Sequence, residues 1–121
     1  MGLDNIIYEK RGVKDKQLSE ILAPLGSGIM VDDSNSFRGK MYDGFISDIT
    51  GYSLYETDDW THEDIEKVIV SLKDYKNNFD KIIDLETDLE HRYHMDVERF
   101  DAFVDLFVLC LEKGWRITAW Y

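Results

Sequence analysis

Arg38 and Lys40 flank Gly39 in the stretch "SNSFRGKMYDGF", residues 34–45 of a 121-residue chain with a formal net charge of -11. Two cations around a glycine suit a phosphate group when backbone amides converge on the same spot. Ser36 read as a helix N-cap supplies those amides. Phe37, Arg38, Gly39 and Lys40 then form the first turn, whose N–H groups lack intrahelical partners. The helix dipole adds partial positive charge at that end, and anions settle there. Arg38 and Lys40 oppose the dipole, so the turn is unfavourable unless an anion or a neighbouring acid compensates. Gly39 leaves space where a ligand could approach the backbone, and Ser34, Ser36 and Tyr42 add hydroxyls. Gly26, Ser27 and Gly28 could bend the chain near the same place. Tyr52, Tyr55 and Trp60 offer rings on which a nucleotide base could stack. The competing reading is ordinary surface charge: Arg38 and Lys40 paired with Asp32, Asp33 or Asp43, and the tyrosines in the core. There is no GxxxxGKS or GxxxxGKT loop.

The remaining chemistry-bearing residues point elsewhere. His91 and His94 stand three apart in "LEHRYH" beside Glu90, but no third ligand follows at a typical spacing, so no metal site is expected. His62 in "THED" falls inside a capping-box pattern running from Thr61 to Asp64. Cys110 lies in the apolar run "DLFVLCLEKG", where a thiol is a small buried hydrophobe and not a nucleophile. No G-x-S-x-G, HExxH or triad-like pattern is present, so neither catalytic residues nor a cofactor are expected.

Composition narrows the partners. The chain is 44% apolar and 13% aromatic with a single proline and a single cysteine, as in a folded protein with no internal disulfide. Residues 1–55 carry eight acids and six bases; residues 56–121 carry 17 acids and eight bases. That acidity repels long nucleic acids and leaves two natural partners, a small anion in a local cationic pocket or a basic protein surface. The first residues, "MGLDNIIYEKRG", have no apolar signal core and no stretch spans a bilayer, so a cytoplasmic protein without membrane association is expected. Ile6 stands where a myristoylation motif needs Ser or Thr.

The elements follow from periodicity. A strand is expected at about residues 4–10. Leu18, Ile21, Leu22 and Leu25 mark one face of a helix that ends near Pro24. "GSGIMVDD" fits a short strand at 28–31. Phe37, Met41, Phe45 and Ile49 recur every four residues between Ser36 and Gly51, which predicts one amphipathic helix. Thr61 opens the next helix, with Ile65, Val68, Ile69 and Leu72 inward. Phe79, Ile82, Ile83, Leu89 and Tyr93 suggest another. Asp96 caps the last, with Val97, Phe100, Val104, Phe107, Val108 and Leu111 inward and Gly114 at its end. "WRITAWY" alternates as a strand, with Trp115, Ile117, Ala119 and Tyr121 on one side. The expected fold is α+β, one domain over 1–121, with a small sheet made by the terminal strands and covered by four or five helices.

Together, "MGLDN", "SFRGKMYDGFISDITGYSLY" and "GWRITAWY" resemble a group of small phage and prophage proteins. That group opens on Met-Gly-Leu-Asp-Asn, carries a central Ser-Phe-Arg-Gly-Lys-x-Tyr followed by Thr-Gly-x-Ser-Leu-Tyr, and closes on two tryptophans. Here the end is Trp120-Tyr121, and "GSGIMVDDSN" departs from the group's Gly-rich loop. The resemblance implies a phage-encoded counter-defence protein acting inside an infected or lysogenic bacterial host. Two modes of action fit a small protein without enzyme motifs, the first of them preferred, and an enzyme that processes nucleotides ranks last. One is a sponge that sequesters a nucleotide second messenger, a cyclic oligonucleotide or a cyclic ADP-ribose type of signal, through Ser34, Ser36, Phe37, Arg38, Gly39, Lys40, Tyr42, Tyr52, Tyr55 and Trp60. A symmetric homo-oligomer would suit a symmetric ligand. The other is an acidic, anti-CRISPR-like inhibitor that mimics nucleic acid and covers a basic surface of a host defence protein, using the carboxylates of residues 80–105, Asp84, Asp88 and Asp105 among them.

Overall fold

The computed structural model describes residues 3–8, 16–26 and 36–121. Its sheet forms where the two ends of the chain meet. The central strand β1 (Asp4–Tyr8) runs antiparallel to β2 (Ser36–Phe37) on one side. On its other side it runs antiparallel to β3 (Arg116–Trp120). Ile7 sits opposite Ile117, and Asn5 sits opposite both Ala119 and Phe37. Residues opposite one another in a ladder share a face, so these side chains point together toward the helices. The sheet of terminal segments matches expectation. The strand expected at 28–31, and residues 9–10 of the first strand, lie outside the described residues.

Five α-helices lie among the described residues. α1 (Lys16–Leu22) passes into a 3-10 turn at Ala23–Leu25, because Pro24 has no N–H to continue the α-helical ladder. α2 (Asp43–Thr50) ends at Gly51, whose φ of 77° is the left-handed conformation that glycine adopts freely. A 3-10 segment, Leu54–Asp59, leads to α3 (His62–Asn77). α3 opens with the expected capping box, and Ile65, Val68, Ile69 and Leu72 are all buried. α4 (Ile82–Tyr93) and α5 (Val97–Lys113) follow.

Three expectations need correcting. The first concerns residues 36–42. Ser36 is not a helix cap: it pairs with Ile6 in the sheet, as Phe37 pairs with Asn5. Arg38 leaves the strand, Gly39–Met41 make a 3-10 turn, and α2 begins only at Asp43 after an N-cap residue, Tyr42, without a side-chain capping bond. The four-residue spacing was therefore not that of one helix: Phe37 is fully buried while Met41 is 58% exposed. Long-range pairing with β1 overrides the local helical pattern.

The second correction is to α4. Ile82 and Ile83, expected inward, stand exposed, and burial falls on Leu85 and Leu89. The third is to α5. Phe100 and Phe107 are buried as expected, but Phe103, Leu106, Leu109 and Cys110 are buried too, and Val97, Val104, Val108 and Leu111 sit at the flank. α5 packs against α1, α3 and α4 together, so its buried arc is wider than one stripe. Phe103 meets Phe37 edge to face at 5.4 Å and Tyr42 at 4.9 Å, joining the sheet to α5. Such ring pairs add roughly 0.5–1.5 kcal/mol beyond their burial. Among the described residues, no helix is long and apolar enough to cross a membrane.

Candidate functional site

Three segments distant in sequence meet around Asn5. Asn5 of β1 is fully buried, and its Nδ2 donates to Leu54 O at 2.9 Å and to Thr57 Oγ1 at 3.2 Å. Lys40 N donates to Leu3 O at 3.3 Å. Asp43, in the first turn of α2, accepts from Leu54 N at 2.7 Å and from Ser53 Oγ at 3.0 Å. Residues 3–5, 36–43 and 53–57 thus meet in one junction around the buried Asn5, with β3 on the other edge of β1.

Gly39 has a specific reason to be glycine there. A Cβ at this position would lie 1.8 Å from Asn5 Oδ1 and 3.0 Å from both Asn5 Cγ and Leu3 Cδ2. The space beside Gly39 is therefore occupied by Asn5, whereas the pattern of residues suggested room for a ligand. Two buried side-chain polar atoms lack a hydrogen-bond partner among the described residues, Asn5 Oδ1 and Arg38 Nε, and both belong to this junction.

The other expected site residues are dispersed. Ser34 lies outside the described residues. Ser36 and Phe37 are buried in β2. Arg38 is half-buried and Lys40 exposed, and neither makes an ion pair among the described residues. Asp43, one of their expected surface partners, is engaged with Ser53 and Leu54 instead. Tyr42 is buried and donates its hydroxyl to Leu25 O at 2.8 Å; burial raises its pKa, against the lowering effect of Arg99. Tyr52 and Trp60 do come together, edge to face at 5.6 Å, but the Tyr52 hydroxyl is held by Asp64 at 3.1 Å and Trp60 packs on Phe107. Tyr55 pairs with Tyr121. None of these rings hydrogen-bonds to Arg38 or Lys40 among the described residues.

Among the described residues no group of three or more His, Cys, Asp or Glu could hold a metal. Thr61 N donates to the Asp64 carboxylate at 2.8 Å, and this bond chiefly lowers the Asp64 pKa, so the capping box accounts for "THED". Burial pushes the Cys110 thiol up to about 12, so it stays protonated and unreactive near neutrality.

What stands out is the acid content of α4 and α5. Residues 82–113 hold nine acids and three bases. Two of those bases are already engaged, Arg92 with Asp88 at 3.3 Å and Arg99 with Asp96 at 3.7 Å. Asp88 also accepts from the Tyr75 hydroxyl, which fixes α4 on α3. Glu86 and Glu90 on α4, and Asp105 and Glu112 on α5, are exposed and have no side-chain partner among the described residues. Between α1 and α5 lies a groove of about 590 Å³ lined by Glu20, Glu98, Asp101, Asp105 and Glu112 over an apolar floor. Residue spacing along α5 hints at this row, but the α1 wall comes from tertiary packing that spacing does not reveal. A second cleft of about 530 Å³ joins Asp58, Asp59, Trp60, His62, Trp115 and Arg116. Asp58 there serves the fold, its carbonyl accepting from Arg116 Nη2 and its carboxylate from Ala119 N, each at 3.4 Å.

No protein-family model, no curated protein and no solved structure matches this chain.

Proposed function

We propose that this protein acts by stoichiometric binding, as an acidic inhibitor that covers a basic, nucleic-acid-binding surface of a bacterial defence protein. The observation that carries the reading is the exposed carboxylates of α4 and α5, held on packed helices with most neighbouring cations already paired. Rigid carboxylates lose little freedom on binding, and a like-signed field steers a basic partner toward them. The phage counter-defence setting follows from the resemblance of "SFRGKMYDGF" and its companion stretches. Nothing in the reading needs a reaction.

Nucleotide sequestration is the second reading. One observation favours it: among the described residues Arg38 Nε has no hydrogen-bond partner, and the exposed Lys40 stands two residues on.

One experiment separates the two. The protein is expressed in bacteria carrying individual defence systems, and phage plating efficiency is scored. Under the acidic-inhibitor reading, Glu86→Lys with Asp105→Lys removes protection while Arg38→Ala with Lys40→Ala keeps it. The opposite pattern, with protection only against systems that signal through nucleotides, establishes the sponge instead.

A further inference from the structure

The groove between α1 and α5 has the make-up of a docking site. Its floor is apolar, with Ile21 and Pro24 from one wall and Ala102, Val108 and Leu109 from the other. Around that floor stand five carboxylates, and among the described residues the lining contains no Lys or Arg. Among the described residues Asp101 pairs with Lys76 at 2.9 Å, and the other four make no ion pair. On α5 the lining residues recur at 98, 101–102, 105, 108–109 and 112, with acids at 98, 101, 105 and 112 and apolar residues at 102, 108 and 109 along one stripe. At a rise of 1.5 Å per residue the stripe runs about 21 Å, close to four helical turns.

We propose that this groove docks an amphipathic helix of a partner protein, one whose apolar stripe is bordered by Lys or Arg. The inference rests on the acidic-inhibitor reading above and names the place and chemistry of its contact. The apolar floor accounts for a helix's apolar stripe, and acids spaced every one to two turns match cations spaced likewise on the partner. A second copy of this chain would bring the same carboxylates against each other and is repelled. A nucleic acid is repelled for the same reason.

The test uses a fluorescently labelled helical peptide of Leu and Lys, about 18 residues long, with Leu on one face and Lys along its borders. A peptide of the same composition in scrambled order is the control. Fluorescence anisotropy with the whole protein should show binding of the ordered peptide at least about 10-fold tighter than of the scrambled one, weakening as salt rises from about 0.05 to about 0.5 M. Asp105→Lys with Glu112→Lys should weaken binding by at least about 10-fold, while Glu86→Lys with Glu90→Lys, the same change in charge on α4, should alter it less than about 3-fold. Ile21→Ser should weaken the ordered peptide and leave the scrambled one unchanged.

Equal affinity for both peptides overturns the inference, as does no binding to either. If the α4 pair abolishes binding and the α5 pair does not, the groove is the wrong site although an acidic surface still binds. Failure of the acidic-inhibitor reading itself shows separately, as protection from phage restriction that survives Glu86→Lys with Asp105→Lys. If the protein sediments as a dimer that Val108→Asp dissociates, the groove joins copies of this chain and the inference also falls.

Discussion

Gly39→Ala gives the sharpest structural prediction because its clash can be placed atom by atom. The new Cβ would sit 1.8 Å from Asn5 Oδ1, a separation no folded protein holds, so something has to move. Asn5 cannot swing aside freely, since its Nδ2 is bonded to Leu54 O and Thr57 Oγ1. Rotating the amide gives up two buried hydrogen bonds, each a net of about 0.5–1.5 kcal/mol. Shifting the backbone instead is overpacking, at about 1–3 kcal/mol. The expected loss is about 2–4 kcal/mol, large against total stabilities of about 5–15 kcal/mol. Asn5→Ala alone removes the same two bonds and leaves the Leu54 carbonyl to the Thr57 hydroxyl at 3.5 Å, at about 1–3 kcal/mol. In that background the Asn5 amide beside Gly39 is gone, and Leu3 Cδ2, at 3.0 Å, still crowds the site. Gly39→Ala should then cost less than about 1 kcal/mol, a coupling of about 1–3 kcal/mol between the two positions. Urea unfolding followed by tryptophan fluorescence measures all four proteins of the cycle. Additivity within about 0.5 kcal/mol, or a Gly39→Ala protein as stable as the parent, refutes the reasoning. The space beside Gly39 would then be open, as a ligand site there requires.

Three further outcomes are expected. Arg38→Met should be neutral or slightly stabilising by melting temperature, because it removes a buried Nε that has no partner among the described residues; a loss above about 1 kcal/mol would mean that Arg38 holds something. Thr61→Ala should cost about 1 kcal/mol by breaking the α3 capping box, and thermal unfolding with no change would contradict that role. On the alkaline side, Cys110 and Tyr75 have folded pKa values raised above their ordinary ones by burial, Tyr75 also by its bond to Asp88. A raised pKa contributes stability below the unfolded value that is lost as pH climbs toward the folded one. Melting temperature should therefore fall from about pH 9 upward, and Cys110→Ala should shift the onset toward pH 10, where tyrosine takes over; an onset unmoved by Cys110→Ala counts against the thiol's part.

The elements that local chemistry determines were legible from the residues. The Thr61–Asp64 box, the Asp96 cap, Gly51, Gly114 and Pro24 each mark a helix boundary through their own backbone demands, and the structure places those boundaries there. Terminal strands were legible from Ile6, Ile7 and the alternation of "WRITAWY". Residues 36–42 were not, because what fixes them is distant in sequence. Ser36 has good capping chemistry, but Ile6 and Asn5 claim this segment for the sheet. The same long-range contact inverts the meaning of Gly39, from room for a ligand to room for Asn5. The acid-rich second half was legible as composition, while the groove that organises part of it exists only once α1 lies against α5. The rings of Tyr42, Tyr52 and Trp60 looked available for stacking, yet an aromatic side chain near a cation is as readily a core residue, and here packing takes all three.

The central claim, inhibition through an acidic surface, is tested most directly by a titration with purified components. The defence protein whose restriction the chain relieves is mixed with its nucleic acid substrate, and the chain is added stepwise. Nucleic acid binding by the defence protein should be lost at a stoichiometric end point, weaken as inhibition when salt is raised, and be restored by Glu86→Lys with Asp105→Lys but not by Arg38→Ala with Lys40→Ala. If nucleic acid binding is untouched at a molar excess of the chain, or if both charge-reversed and parent proteins inhibit equally, the acidic surface is not how this protein works.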